Sequence, residues 1–146
     1  MGGIGRPSAL LKSTFIKHCR YNKLMLNFQG EKDMILYRPV GTAELDLIAQ
    51  SGYKSFPPRL PEQPIFYPVL NKKYAQEIAE KWNTKDTSDH KGYVTQFEVD
   101  DEYCSQFTVH TVGKNYHKEL WIPAEELETF NQHIIGEIKV ISVFSD

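Results

Sequence analysis

At 146 residues, with 40% hydrophobic, 12% aromatic and 25% charged side chains, the chain has the size and composition of one globular domain, which excludes a low-complexity or disordered polymer. Its formal charge of −2 is unevenly spread: residues 1–30 hold five basic side chains and no acidic one, leaving 12 basic and 19 acidic groups, a net of −7, in the remainder. An acidic body repels phosphate backbones, so a broad nucleic-acid face is excluded and small ligands or proteins become the expected partners.

The chain opens on a basic stretch in which Leu10, Leu11, Phe15, Ile16, Leu24, Leu26 and Phe28 are mixed with Arg6, Lys12, Lys17, Arg20 and Lys23. Three readings compete: a basic amphipathic address or membrane-surface segment, an integral helix, or a poorly ordered leader preceding a later start at Met25 or Met34. We read residues 1–33 as an N-terminal extension and residues 34–146 as the folded domain. Cys19 and Cys104 form no closely spaced metal-binding pattern, which predicts a reduced, cytoplasmic setting and no metal site. No stretch reaches the ~20 continuous apolar residues that a membrane span requires.

From Met34 the pattern becomes regular. Met34 to Arg38 reads as a buried strand stopped by Pro39 and Gly41, after which Thr42 is expected to cap a helix through Ala49 that Gly52 closes. Five prolines (57, 58, 61, 64 and 68) lie between Tyr53 and Leu70 and discourage a central strand. The same segment holds Phe56, Leu60, Ile65, Phe66, Tyr67 and Val69, which predicts a stiff loop packed on the body and shaping a pocket wall. Asn71 then caps a helix over Lys72–Trp82, with Tyr74, Ala75, Ile78, Ala79 and Trp82 on one face.

The polar run 83–92 predicts a surface loop. Strands are expected at Tyr93–Val99, Phe107–Val112, Lys118–Ile122 and Ile138–Phe144, with a helical turn over Asp100–Gln106, a helix opened by Pro123, and Gly136 leading into the last strand. Helices early and strands late predict an α+β domain with a mainly antiparallel sheet.

No phosphate-cradling GxxxxGK[ST], HExxH, GxSxG or strand–GxGxxG–helix motif is present. Chemistry is expected instead from charges on apolar strands. Arg38 ends one strand and Glu119 opens another beside Leu120, Trp121 and Ile122; a charge facing a core needs a partner or a ligand. The two could pair with each other or point to solvent. Phe66 and Tyr67 could be core residues or the wall of a site, and among five histidines only His117 stands close to a buried carboxylate candidate.

The order Leu36-Tyr37-Arg38, helix, Phe66-Tyr67, the Ala75-containing helix, the Glu119 strand and the Gly136-to-Phe144 strand resembles ADP-ribosyltransferase-like domains. The stretches 36–41, 56–61, 63–71 and 119–127 also resemble a group of short bacterial uncharacterised proteins labelled "ADP-ribosylation/crystallin J1". The transferase-like resemblance implies NAD as substrate. Arg38 would hold the dinucleotide phosphates, Tyr67, Phe66 and His117 would line the dinucleotide site, and Glu119 would stabilise the oxocarbenium-like transition state. The chain departs from that pattern in lacking a Ser-Thr-Ser on a middle strand and in carrying His117-Lys118-Glu119 where the family has Glu-x-Glu or Gln-x-Glu. The expected activity is ADP-ribosyl transfer, to a protein acceptor, or NAD glycohydrolysis. The competing expectation is a non-catalytic accessory or immunity-type domain that binds a protein through the 53–70 segment.

Overall fold

The computed structural model describes residues 33–146, so the basic N-terminal stretch lies outside the described residues. In chain order the elements are β1 (Asp33–Val40), α1 (Thr42–Gln50), β2 (Ile65–Phe66) and α2 (Lys72–Ile78), which a π-helical turn (Ala79–Asn83) and a helical turn (Thr84–Asp86) continue. There follow β3 (Lys91–Asp100), α3 (Asp101–Cys104), β4 (Val109–Thr111), β5 (Lys118–Leu120) and β6 (Ile122–Pro123). A 3-10 turn (Ala124–Glu126), α4 (Leu127–Gln132) and β7 (Ile134–Ser145) complete the α+β fold.

All strand pairings are antiparallel, with β3 central between β1 and β7. Val69 extends this sheet across the proline-rich segment, bridging Tyr37 on one side and Glu119 on the other. Ile65↔Pro123, Phe66↔Ile122 and Val69↔Glu119 keep one register, so residues 65–70 run as a broken strand against β5 and β6. The expectation that prolines would keep this segment out of the sheet is therefore corrected. Pro68 has no N–H, yet its carbonyl accepts from Leu120 N, and the neighbouring Leu70 N–H bonds Lys118 O, so the strand is interrupted rather than expelled. β1 likewise runs through Pro39 to Val40. Tyr37 points its N–H and C=O at Val69, so by alternation Pro39's nitrogen faces away from β3 and removes no bond from that ladder.

The sheet has two unlike faces. One carries Leu36, Val40, Phe97, Val99, Leu120, Ile122 and Ile138, covered by Ile48 of α1, Phe56, and Leu127 and Phe130 of α4. Phe56, Phe66, Phe97 and Phe130 interlock there with ring centroids 4.8–6.2 Å apart. We call this the aromatic face. The other carries Tyr37, Val69 and Val94 under Ala75 and Ile78 of α2 and Ala79 of the π turn, and is the helical face.

Caps and turns follow local chemistry, with two corrections. Asn71 accepts from Tyr74 N at 3.1 Å, the expected cap. Thr42 instead lies inside α1, whose N-cap is Gly41, and its hydroxyl donates to Asp89. Trp82 leaves the buried face expected for it and is 62% exposed, because the π turn inserts an extra residue per turn and rotates the chain out of the Tyr74–Ile78 register. That turn lies hard against β3: a Cβ on Gly92 would stand 2.5 Å from Ala79 O. Gly136, at φ +76°, lies within β7 at a bulge rather than ahead of the strand.

Candidate functional site

Alternation along the strands decides which side chains meet. Tyr37, Val69 and Glu119 are directly paired, so all three leave the helical face; Tyr67 and Trp121, two residues on, follow them. There Tyr74 of α2 donates its hydroxyl to Glu119 Oε2 at 2.8 Å, and Trp121 donates its indole N–H to Oε1 at 2.8 Å. Glu119, only 9% exposed, thus has each carboxylate oxygen fixed by a donor. Burial, and then the bond and charge of Glu119, push the Tyr74 hydroxyl well above its ordinary value of 10.0, so it remains the donor in this pair.

Beside Glu119 opens a cleft of about 410 Å³, of the size that encloses small molecules. Tyr67 and Trp121 form one wall, 38% and 40% exposed, with ring centroids 6.1 Å apart and edge to face. His110, opposite Glu119 in the β4–β5 register, stacks on Trp121 at 3.8 Å. Val69, Val112 and Ile78 supply apolar lining; Arg38, Pro39 and Asn83 complete it.

Arg38, Tyr67 and Glu119 are therefore brought to one cleft, but they reach it differently. Arg38 is next to Tyr37 and so projects its side chain to the aromatic face, where its guanidinium clasps Glu44 of α1 through Nε (2.7 Å) and Nη2 (3.0 Å) and lies 4.7 Å from the Phe66 ring centre. Neither charge uses the other as its partner. β1 and β5 are not neighbours either, since Val69 stands between them.

Phe66 is 1% exposed and belongs to the aromatic core, beneath Arg38 and not among the cleft-lining residues. His117 also stands outside the lining. Its Nδ1 accepts from Lys114 N–H, which leaves the hydrogen on Nε2 to donate to Glu77 at 3.1 Å, while the ring stacks on Tyr74 at 4.3 Å. Tyr116 donates to the same carboxylate. The Tyr116 bond and, after the opposing effect of desolvation, the His117 bond hold Glu77 below the usual carboxylate range. This cluster pins α2 to β5 and so fixes Tyr74 over Glu119.

Two further residues escape a reading of the sequence. Arg59, framed by Pro58 and Pro61, donates from Nε to Ile65 O at 3.1 Å. Desolvation first, and then the charge of Arg38, lower its pKa, with Glu44 and Tyr67 close enough to oppose this. The charges of Arg38 and Glu44 thus meet Arg59, which is not itself among the residues that line the cleft. Asn83, expected in a solvated loop, ends the π turn and is one of the residues that line the cleft. Its amide oxygen is buried with no hydrogen-bond partner among the described residues.

Among the described residues no group of three or more His, Cys, Asp or Glu side chains is arranged to hold a metal, and no helix is long and apolar enough to cross a membrane. Cys104 is buried, and burial followed by the charges of Asp101 and Asp100 pushes its thiol up to about 12. No family model, no curated protein and no solved structure matches the chain.

Proposed function

We propose that the cleft binds an NAD-type dinucleotide and that the chain acts as an ADP-ribosyltransferase-like domain on the nicotinamide–ribose bond. The observation that carries this reading is Glu119: a nearly buried carboxylate, oriented by Tyr74 and Trp121, at an aromatic-walled cleft. The nicotinamide ring packs against Tyr67 and Trp121.

Breaking the glycosidic bond sends its electron pair onto the pyridinium nitrogen, which leaves as neutral nicotinamide. Positive charge builds on the ribose and is then quenched by water or an acceptor side chain, which gives up a proton. A carboxylate already held in place stabilises that charge without reorganising, so Glu119 acts electrostatically. Because both oxygens already accept hydrogen bonds, proton abstraction is not the role its geometry favours.

Glu119→Gln keeps the shape and removes the charge. NAD affinity should persist within a few-fold while turnover to free nicotinamide falls by about 100-fold or more. Parallel loss of affinity and turnover would make Glu119 a binding residue only. A wild-type chain that bound neither NAD nor ADP-ribose would remove the reading, leaving the protein-binding alternative on the 53–70 segment, where Leu60 is 55% exposed.

A further inference from the structure

Glu119 is a charge that the protein holds in place without neutralising. Its two carboxylate oxygens accept from neutral donors, the Tyr74 hydroxyl and the Trp121 indole N–H, and among the described residues no lysine, arginine or histidine forms an ion pair with it. The other charged residue that lines the cleft, Arg38, gives its guanidinium to Glu44 on the opposite face of the sheet. The cleft therefore carries one negative charge that no cation of the protein offsets. A nearly buried carboxylate in that state is costly, and a cation entering the cleft relieves the cost through space, with neither donor displaced.

The walls specify the kind of cation. Tyr67 and Trp121 line the same cleft, each more than a third exposed, and their rings stand at 89° to one another, so a flat ring laid on one presents its edge to the other. Val112 and Ile78 add apolar surface beside them. An aromatic face attracts positive charge through its quadrupole, and apolar surroundings suit a delocalised, weakly hydrated ion better than a compact, strongly hydrated one. We propose that the cleft is an organic-cation site, which selects the positively charged, oxidised nicotinamide ring over its neutral reduced form. Cleavage removes the same charge: the electron pair of the glycosidic bond passes to the ring nitrogen, the leaving nicotinamide is neutral, and the contacts that grip the substrate's ring hold the product only weakly. This inference rests on the dinucleotide reading above and names the charge state of the ring that the cleft admits.

The test is calorimetry on the full chain with two matched pairs, NAD against NADH and the permanent cation 1-methylnicotinamide against neutral nicotinamide, and with ADP-ribose, which lacks the ring. In the wild type each cationic ring should bind about tenfold more tightly than its neutral counterpart. Tyr67→Leu keeps apolar bulk and removes the π face, whereas Glu119→Gln keeps the shape and removes the charge; each should narrow both ratios about threefold and leave ADP-ribose affinity unchanged. Either variant suffices should the other fail to fold. Equal affinities for charged and neutral rings in the wild type, or ratios untouched in a folded variant, would overturn the cation assignment, while NAD and ADP-ribose binding would keep the dinucleotide reading. A wild type that ignored NAD and ADP-ribose yet still preferred 1-methylnicotinamide to nicotinamide would remove the dinucleotide reading and uphold the cation site. Binding of none of these ligands would overturn both.

Discussion

The two faces of the sheet are built from the same strands to different ends. On the aromatic face Phe56, Phe66, Phe97 and Phe130 interlock, and the charge that intrudes, Arg38, donates two bonds to Glu44. On the helical face the smaller cluster of Val69, Ala75, Ala79 and Val94 shares space with Glu119, Tyr74 and Asn83, and one buried acceptor lacks a partner. Packing completeness on one side and polar incompleteness on the other separate the residues that hold the fold from those free to serve a ligand.

The largest expected effect lies on the aromatic face. Phe97→Ala removes the ring that contacts both Phe56 and Phe130 and should lower unfolding free energy by about 3–5 kcal/mol in urea titration. Glu119→Gln on the helical face should cost less than about 1 kcal/mol, since shape and an acceptor are kept. Equal losses would show that both faces are structural.

Next comes Glu44→Ala, which leaves Arg38 nearly buried, unpaired and beside Arg59. We expect a loss of about 3 kcal/mol, much of it recovered in the double variant Glu44→Ala/Arg38→Met. A double variant no more stable than Glu44→Ala would show that Arg38 is held by packing rather than by its ion pair.

The smallest expected effect is on pH dependence. Tyr74 keeps its proton in the folded state above 10.0, where the unfolded chain gives it up, so the folded state binds more protons there and stability falls as pH rises. Tyr103 behaves alike on the aromatic side, raised by burial and by its bond to Glu126. Urea titrations from about pH 9 to about pH 11 should show a shallower decline for Tyr74→Phe and for Tyr103→Phe than for the wild type. A decline unaltered by either substitution would place the alkaline sensitivity elsewhere.

Much of the secondary structure was legible in the sequence, because its signals are local: apolar residues in β1 and β3 and the Asn71 cap each declare themselves within a few positions. The cleft was less so. Arg38, Tyr67 and Glu119 stood out as charged or aromatic residues on apolar strands, but the face each side chain leaves depends on pairing through Val69, which five nearby prolines conceal. Arg59 gains significance only from Arg38 and Glu44 brought beside it. Asn83 ends a π turn, and a helical period of 3.6 gives no warning of the extra residue that swings Trp82 out.

The central claim is that the helical-face cleft is a dinucleotide site, and the most direct measurement is calorimetric titration of NAD and ADP-ribose into the full chain, wild type and Tyr67→Ala. We expect saturable binding of both ligands at millimolar or lower concentration, with NAD weakened about tenfold in Tyr67→Ala and ADP-ribose much less, because the lost ring packs on the nicotinamide that only NAD carries. No heat of binding from either ligand at millimolar concentration in the wild type would contradict the account.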